Sequence, residues 1–448
     1  MTWPMLSLET PAGFLPHLDY RVRVASHWFQ AHGLKPGEVV ALSGRADPAY
    51  LIAILALWQL GAIVLPLNPR LPGSGIAAAL EQAGARCWVG GAPGPVKTLD
   101  WKDMPESGRQ AAGSWSLAPE QPLTLIQTSG SSGSTKLALH TWQNHCASAD
   151  GSYSNIRLDF ADRWLLALPL FHVGGLAIVC RCLRSAATLC LPEPGQDLGE
   201  AILQLKPTHL SLVATQLQRL LEHETALPGL LACKAILLGG SAIPAALLER
   251  AANLDLPIHT SYGSTEMSSQ ITCTPPGGGL EDLLTSGYVL PFRELRISAG
   301  EIQVRGQTLF QGYYAQGRPH LPLTPDGWFA TRDRGFFDAA GRLHVIGRLD
   351  NMFISGGENI QPEEVEAALL SLAGITQAIV VPVTDQEYGQ RPVAFVEASD
   401  WQPEDWRAQL RALLPSYKRP DAFYPWPADQ IGLKPSRATF QAQAAQNP

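Results

Sequence analysis

A short run of small and hydroxyl-bearing residues is the strongest chemical signal in the sequence. It runs Thr128-Ser129-Gly130-Ser131-Ser132-Gly133-Ser134-Thr135-Lys136 and directly follows a predicted strand. Small side chains let the backbone approach a ligand closely, and its N–H groups can then point at an anion. The hydroxyls add donors and Lys136 adds positive charge, so the loop suits a polyphosphate. A flexible linker is the competing interpretation, because Gly/Ser-rich segments are often linkers.

A second candidate is the pentapeptide Tyr262-Gly263-Ser264-Thr265-Glu266, which follows a short predicted strand, PIHTS. The Tyr262 ring offers a flat face for a purine, and Gly263 lets the backbone come close. Thr265 adds a hydroxyl, and the Glu266 carboxylate is the kind of oxygen ligand that Mg²⁺ prefers. An ordinary strand-to-loop turn explains the same residues, so this segment indicates a nucleotide site only together with the first.

Composition and charge place the chain among well-packed globular proteins. It has 448 residues, of which 46% are hydrophobic and 16% are charged, and its formal net charge is -7. Chains beyond roughly 250–300 residues usually divide into domains. A mild acidic excess argues against a nucleic-acid-binding protein, which normally presents a basic face.

The cysteines and the opening residues favour a cytoplasmic protein without a membrane span. The seven cysteines form no CxxC pair, which favours free thiols in a reducing compartment. The first residues, MTWPMLSLETPAGF, lack a basic segment followed by an apolar one, so no signal peptide is expected. The apolar stretch 50–66 is interrupted by Gln59 and Gly61, which predicts a buried helix and a strand rather than a transmembrane helix.

The elements that must position these residues alternate between helix and strand. Asp47 can cap a helix that Gly61 ends, and the residues AIVLP then continue as a buried strand. The segment 198–205 repeats the pattern, with Pro207 ending a helix before the strand HLSLVA. Such alternation implies a mostly parallel sheet covered on both faces. Residues 90–122 are rich in Pro, Gly, Ser and Ala, and are predicted to be a surface connection.

The pattern changes after Gly287, which predicts a second kind of structure. Short alternating segments such as EIQVRG and RLHVIGR indicate antiparallel strands. Beyond residues 347–351, a helix PEEVEAALLSL, two strands and a last helix over 404–414 form a compact α+β unit. We therefore expect an α/β and α+β protein with a large N-terminal domain, 1–348, and a small C-terminal domain, 349–448.

Together, the two candidate motifs and their spacing resemble the adenylate-forming superfamily, which includes acyl-CoA synthetases, luciferases and the adenylation domains of peptide synthetases. The resemblance extends over nearly the whole chain. Further segments similar to family motifs are, in order, LKPGEVVALSG, LWQLGAIVLPLNPRLP, LALPLFHVGG, LLGGSAIP, DGWFATRDRG, GRLDNMFISGGENIQPEEVE and LKPSR. The resemblance implies a mobile C-terminal domain. It also implies ATP- and Mg²⁺-dependent activation of a carboxylic acid as an acyl-adenylate, followed by transfer to CoA.

The resemblance also implies a role for each matching residue. The ATP phosphates are expected at Thr128, Ser129, Gly130, Ser131, Ser132, Gly133 and Lys136. The adenine is expected at Gly239, Gly240, Ser241 and Tyr262, with Gly263 and Thr265 beside it, and the ribose at Asp333 with Arg348 reaching from the hinge. The catalytic residues implied are Lys434 and His172, the magnesium ligand Glu266, the hinge residue Asp350 and the CoA-side loop Gly356 and Gly357.

Three positions depart from the family pattern. Ser132 stands where the family usually has Thr, Thr135 where it has Pro, and Leu433 where a glycine precedes the last lysine. A hydroxyl survives at Ser132, and the change at Thr135 alters stiffness more than chemistry. The departures concern loop detail rather than the class of enzyme.

Within the superfamily, several segments are most similar to the o-succinylbenzoate–CoA ligases of menaquinone and phylloquinone synthesis. They are YGSTEMSSQIT, FHVGGLAIVCRCLRSAATLCLPE, FATRDRG and NMFISGGENIQPEEVEAAL. The acid so implied has two carboxylates, one of which must be recognised rather than activated. The polar residues expected near the pocket, besides His172, are Ser264, Gln270, Thr215 and Gln216. None of those four is a cation, so recognition is expected to use hydroxyls, backbone amides and water.

Three alternative functions remain open from the sequence. One is another aryl- or fatty-acyl–CoA ligase, and a second is a stand-alone adenylation enzyme that loads a carrier protein, although no carrier motif is fused here. The third is a non-catalytic nucleotide-binding relative, which the presence of Lys434, Glu266, Asp333 and Arg348 argues against. The expected partner is a small carboxylic acid, with no nucleic acid and no membrane segment.

Overall fold

The computed structural model describes residues 6–90, 96–111, 117–129, 135–315, 317–427 and 437–446. The helices are α1 Leu18–Ala31, α2 Pro48–Leu60, α3 Gly73–Ala83, α4 Trp142–Tyr153, α5 Val173–Ser185, α6 Leu198–Leu205, α7 Ala214–Glu222, α8 Leu227–Leu231, α9 Ala245–Asn253, α10 Leu280–Leu283, α11 Pro362–Leu370, α12 Pro403–Leu413 and α13 Arg437–Ala444.

The strands of the first half of the chain are β1 Ser7–Thr10, β2 Gly13–Phe14, β3 Val39–Ser43, β4 Ile63–Leu67, β5 Cys87–Val89, β6 Lys97–Leu99, β7 Pro122–Ser129, β8 Thr135–Thr141, β9 Arg163–Leu165, β10 Thr188–Cys190, β11 His209–Leu212 and β12 Ala235–Leu238. Those of the second half are β13 Ile258–Ser264, β14 Ser269–Cys273, β15 Tyr288–Val289, β16 Arg293–Ser298, β17 Glu301–Gly306, β18 Gly312–Ala315, β19 Arg318–His320, β20 Phe329–Phe337, β21 Leu343–Arg348, β22 Phe353–Ser355, β23 Glu358–Ile360, β24 Ile375–Asp385, β25 Gly389–Ala398 and β26 Ala422–Pro425.

Two large mixed sheets organise the N-terminal part. One has the strand order β19-β18-β8-β7-β4-β3-β5-β6, and the other has the order β15-β14-β13-β12-β11-β9-β10-β1-β2. In each sheet the central strands are parallel, and the strand that leads into a candidate motif turns back: β7 pairs antiparallel with β8, and β13 with β14. The two candidate motifs therefore lie at hairpins on the ends of buried strands.

Helix α2 shows how the sequence forms these buried layers. Its N-cap Asp47 accepts a hydrogen bond from the Tyr50 N–H at 2.7 Å. It ends at Gly61, whose φ of 84° is left-handed and suits a residue without Cβ. Residues from Tyr50 to Trp58 are all buried, so the helix is apolar all round. Strand β4 follows and pairs parallel with β3, which confirms the predicted alternation.

The later part of the chain contains the predicted antiparallel structure. Strands β16, β17, β20 and β21 form one antiparallel sheet. Strands β24, β25 and β26 form a mixed sheet, in which β24 and β25 are antiparallel and β26 is parallel to β25, and α11 and α12 pack on it around a separate core. The expected combination of α/β and α+β structure is confirmed.

Two details of the prediction are wrong. The predicted surface connection 90–122 contains the edge strand β6, and Trp101 beyond it fills a space against Gly44 and Gly90, where any Cβ would lie within 2.1 Å of the indole. The helix expected over 404–414, observed as α12, is not the last, because α13 follows and packs on β24.

Candidate functional site

Strands β7 and β8 bring the flanks of the glycine–serine loop together. Thr128 pairs with Lys136 and Ser129 with Thr135 across the hairpin. The four loop residues Gly130, Ser131, Ser132 and Gly133, whose phosphate role the sequence predicts, lie outside the described residues. The Lys136 ammonium lies 4.6 Å from the centroid of the Tyr313 ring on β18. A cation over an aromatic face is stabilised there, so this contact helps to position the Lys136 ammonium group.

Tyr313 also contacts the second candidate motif. Its hydroxyl donates to Glu266 Oε1 at 2.8 Å. Burial, and then the neighbouring Glu266 carboxylate, raise the pKa of Tyr313, so the phenol stays protonated and remains a donor. The Glu266 carbonyl accepts the Phe310 N–H at 2.8 Å. Tyr313 thus contacts both the predicted magnesium ligand, in the turn after β13, and the predicted phosphate-binding lysine on β8.

His140 supports the same turn from below, and sequence reasoning gave it no role. It lies on β8, is fully buried, and its Nε2 is 2.7 Å from the Thr265 carbonyl oxygen. Burial lowers the pKa of His140 to about 4, so the imidazole is neutral near pH 7 and Nε2–H can donate to that carbonyl. The contact joins residues 125 positions apart, and no local sequence pattern announces it.

A charged chain runs from Tyr262 to the predicted hinge. The Tyr262 hydroxyl donates to Asp333 Oδ2 at 2.6 Å, and Arg348 Nη1 donates to Asp333 Oδ1 at 3.3 Å. Arg348 Nη2 also donates to Asp350 Oδ2 at 3.1 Å, and Arg332 Nε donates to Asp350 Oδ1 at 2.9 Å. Burial raises the pKa of Asp333, and Tyr262 and Arg348 oppose that rise by stabilising the carboxylate.

The backbone of this segment is unusual at one residue. Arg332, the middle residue of the TRD triplet, has a φ of 67°, in the left-handed region that favours glycine. Its neighbour Asp333 pairs with Arg348 across β20 and β21, where the register shifts just after Arg334. Asp333, the residue predicted to bind the ribose, therefore projects from an irregular strand. Side chains of this strand reach Arg348 and Asp350, at the predicted boundary between the two domains.

The loop after β12 supplies the predicted adenine residues. A Cβ on Gly239 would lie 2.8 Å from the Ser261 hydroxyl, and Gly240 has a φ of 90°, so both positions favour glycine. Ser261 donates to the Leu238 carbonyl at 3.1 Å, which keeps this loop beside the strand that carries Tyr262. Ser241 is exposed at the loop surface. A Cβ on Gly263 would meet the Ser269 carbonyl at 2.1 Å, so that glycine serves the tight β13–β14 turn.

Gln270 lies in a buried polar cluster with Arg181, a cation that was not among the polar residues expected near the pocket. Arg181 on α5 donates from Nη2 to Gln270 Oε1 at 2.7 Å, and Ser152 on α4 donates to the same oxygen at 2.8 Å. Arg181 is only 5% exposed, and its guanidinium lies 5.1 Å from the Trp164 ring centroid. Burial lowers the pKa of Arg181 to about 10, which still leaves it charged at neutral pH.

The remaining acyl-side residues are less closely joined. His172 is the exposed N-cap residue of α5, the helix that also carries Arg181, and its ring lies 4.6 Å from that of Phe171. The Ser264 hydroxyl is buried with no partner among the described residues. Thr215 is half-buried in the first turn of α7. Its neighbour Gln216 caps that helix and donates to the Ala167 carbonyl at 3.0 Å, so its amide already has a structural use.

The C-terminal residues show a turn and an anchor. Gly356 and Gly357, with φ of 57° and 89°, form the two-residue turn between β22 and β23. Lys434 lies outside the described residues. Arg437, three positions later, pairs with Glu366 at 2.5 Å and Glu363 at 3.4 Å, which fastens α13 to α11.

The residues fit a magnesium ion bound together with nucleotide phosphates. Among the described residues, no group of three or more His, Cys, Asp or Glu side chains could hold a metal alone. Mg²⁺ usually keeps several waters and takes one or two carboxylates plus substrate phosphates. Glu266, beside the glycine–serine hairpin, meets that requirement.

Two family models and curated relatives match the chain over most of its length. The model of the family described as AMP-binding enzyme matches residues 16–314, and that of the AMP-binding enzyme C-terminal domain matches residues 364–431. The 2-succinylbenzoate–CoA ligase of Salmonella typhimurium is 38% identical over 443 residues, covering 95% of this chain and 92% of the relative.

No helix among the described residues has the length and apolarity needed to cross a membrane.

Solved structures give the same picture. A variant of E. coli MenE with bound OSB-AMS has a TM-score of 0.89 and 34% identity, covering 99% of this chain and 96% of that one. The o-succinylbenzoate CoA synthetase (MenE) of Bacillus subtilis is 27% identical. Its complex with the acyl-adenylate intermediate OSB-AMP has a TM-score of 0.87 and covers 97% of this chain and 95% of that one. Its complex with ATP and magnesium ion has a TM-score of 0.83 and covers 96% and 94%.

Proposed function

The chain belongs to the AMP-binding enzyme family, and we propose that it is an AMP-forming CoA ligase that activates o-succinylbenzoate with ATP. The observation that carries the proposal is 38% identity, along 95% of the chain, to a 2-succinylbenzoate–CoA ligase. The acid is first joined to AMP with release of pyrophosphate, and CoA then displaces AMP. We place the enzyme in menaquinone-type quinone synthesis and, because all seven cysteines are free, in the cytoplasm.

In the first half-reaction, a carboxylate must attack an anionic phosphate. Bound magnesium offsets part of that charge repulsion. In the proposed roles, Glu266 would hold the ion, and the Tyr313 hydroxyl, which donates to Glu266 at 2.8 Å, positions that carboxylate. Lys136 and the hydroxyl-rich loop would bind the outer phosphates. Lys434 brings an ammonium group to the α-phosphate and the attacking carboxylate, where negative charge grows.

Nucleotide recognition rests on the loop after β12 and on the charged chain. Tyr262 supplies a ring face for the adenine, while its hydroxyl is spent on Asp333. Asp333 then accepts from the ribose hydroxyls with its remaining lone pairs. Tyr262 and Arg348 favour the carboxylate form of Asp333 against burial, which raises the pKa of Asp333, and a carboxylate is the stronger acceptor.

For the second half-reaction we propose two domains, 1–348 and 349–448, that change their relative orientation about Asp350. The two family models support this division, since one ends at residue 314 and the next begins at 364. Rotation withdraws Lys434 and brings the exposed turn Gly356–Gly357 toward the adenylate, opening a path for the CoA thiol.

The second carboxylate of the acid has a candidate partner in Arg181. This guanidinium is buried on α5, the helix that His172 begins, and it contacts Gln270. No Asp or Glu among the described residues forms an ion pair with it within 4.0 Å, and its Nε has no partner there. An acid that brings its own carboxylate supplies the missing negative charge, which supports a dicarboxylic substrate over a fatty or simple aryl acid.

The test is product analysis with purified protein, Mg²⁺, ATP, CoA and a panel of acids. We expect a mono-CoA thioester of o-succinylbenzoate together with AMP and pyrophosphate. ADP and phosphate as products would refute the adenylate mechanism. Clear preference for benzoate or a fatty acid would refute the substrate and leave the class standing.

A further inference from the structure

Two buried guanidinium groups lie near Gln270, and neither has an acidic partner in the described part of the chain. Arg181 and Arg293 are each 5% exposed. Within the described residues, no Asp or Glu oxygen lies within 4.0 Å of either side chain. A buried cation is costly unless something compensates its charge. The fold therefore contains two buried cations, near each other, whose desolvation is not compensated by an acidic partner among the described residues.

Arg293 is held in place by backbone groups alone. It begins β16, donates from Nη1 to the Pro291 carbonyl at 2.7 Å, and reaches the Ser148 carbonyl from Nη2 at 3.5 Å. A Cβ at Gly151 would lie 2.2 Å from Arg293 Nη1 and 2.7 Å from the Pro291 oxygen. A glycine inside a helix weakens it, and Gly151, in the last turn of α4, leaves the space in which the guanidinium lies.

Helix α4 links Arg293 to the Gln270 cluster. Ser148, Gly151 and Ser152 are spaced i, i+3 and i+4, so they share one face of the helix. Ser148 and Gly151 contact Arg293, and Ser152 donates to the Gln270 oxygen that Arg181 also contacts. The two cations consequently border one polar cluster from opposite elements, α5 and β16. Burial, and then the neighbouring Arg181 charge, lower the pKa of Arg293 to about 9, so Arg181 disfavours the charged form of Arg293.

Three donors of the cluster have no acceptor among the described residues. Arg181 Nε, Arg293 Nε and Gln270 Nε2 are all buried and have no hydrogen-bond partner among the described residues. Cys273 faces both arginines, but burial raises the pKa of its thiol to about 11, so it stays neutral at pH 7. Positive charge with unused N–H donors is the chemistry of an anion site.

We propose that Arg293 is a second specificity-determining cation of the acyl pocket. Arg181 and Arg293 together select an acid that carries a second negative charge, and Gly151 is needed because it seats the Arg293 guanidinium. This inference rests on the proposed function, since it concerns the carboxylate that does not react. Arg293 acts through the electrostatic potential at the pocket end, and it takes no part in bond making.

The experiment compares o-succinylbenzoate with its methyl ester at the non-reacting carboxylate, using kcat/KM for CoA-thioester formation. We expect Arg293→Gln to lower the diacid-to-ester ratio roughly tenfold or more, by a loss on the diacid only. Arg293→Lys keeps the charge and should retain most of the ratio. Gly151→Ala keeps both arginines but displaces one, and should lower the ratio as Arg293→Gln does.

Thermal unfolding separates specificity from a structural role. Removing an unpaired buried cation should leave the Tm of the ligand-free Arg293→Gln protein unchanged or higher, while the Tm increase that the diacid produces in wild type shrinks. An unchanged ratio in Arg293→Gln or, if that variant does not fold, in Gly151→Ala would overturn the inference. So would equal kcat/KM for both acids in wild type, although the proposed function would survive. If wild type converts neither acid, the proposed function falls and takes the inference with it.

Discussion

The region proposed to bind the nucleotide (the nucleotide end) and the region proposed to bind the acid (the acyl end) differ in how their charges are paired. At the nucleotide end, Arg348 pairs with both Asp333 and Asp350, and Arg332 pairs with Asp350, so the charges are matched before any ligand arrives. At the acyl end, Arg181 and Arg293 are buried with no acidic partner among the described residues. We infer that the paired charges of the nucleotide end position its residues, whereas the unpaired cations of the acyl end select the substrate. Matched charges fix positions, whereas unmatched buried charges reward only a ligand that brings the complementary charge.

The largest effect is expected at the nucleotide end, from a cation that the C-terminal domain contributes. Lys434→Ala should slow adenylation about a hundred- to a thousand-fold, because a preorganised donor at a growing charge is worth about 2.7–4 kcal/mol. Thioester formation from supplied acyl-adenylate should change far less. Single-turnover assays of both half-reactions measure this, and equal losses in both would remove the support for domain alternation.

Asp333→Ala should have the next largest effect. The ribose hydroxyls lose a charged acceptor worth roughly 1.5–3 kcal/mol, so the affinity for a non-hydrolysable ATP analogue should fall accordingly. Calorimetric titration provides the measurement. Asp326→Ala is the matched control, since that exposed carboxylate pairs with Arg296 away from the charged chain. Equal affinity of wild type and the Asp333 variant would show that the ribose binds elsewhere.

Arg181→Met should weaken substrate binding without destabilising the ligand-free protein. The KM for o-succinylbenzoate should rise, while ligand-free stability should hold or increase by about 1 kcal/mol, since a buried unpaired cation is removed. The matched control is Arg184→Met, one turn further along α5, whose guanidinium pairs with Asp150 at 2.9 Å. Steady-state kinetics and urea unfolding serve as the assays. A large loss of stability with unchanged KM would assign Arg181 to the fold alone.

The smallest effect concerns the neutral histidine under the Glu266 turn. The pKa of His140 is about 4 in the folded protein, below its ordinary value of 6.5, so the unfolded chain binds the proton first. Stability should therefore fall as the pH drops from 6.5, by about 1 kcal/mol at pH 5.5. His140→Gln, which keeps a donor for the Thr265 carbonyl, should flatten that dependence in unfolding measured at several pH values. An unaltered slope would mean that another buried group, such as His145, dominates.

How much the sequence could predict depended on the range of each interaction. Asp47 and Gly61 bound α2 through local rules, so that helix and the following strand were predictable. The role of Arg181 was not, because it lies in the apolar stretch AIVCRCL and its partner Gln270 is 89 residues away. Gln216 was expected near the substrate but caps its own helix, which a single sequence does not distinguish. The site residues drawn from family motifs stay predictions, and Lys434 most of all.

Arg332 connects the proposed nucleotide site to the proposed domain boundary, and this contact can couple the two regions mechanically. Its backbone has a φ of 67°, which a glycine would adopt freely, and its side chain is committed to Asp350. Asp333 follows it directly, and Arg348 touches both carboxylates. A displacement of Asp350 is thus transmitted to Asp333 through two arginines and a single peptide unit. The position of the C-terminal segment can thereby alter the strand that carries Asp333, the proposed ribose ligand.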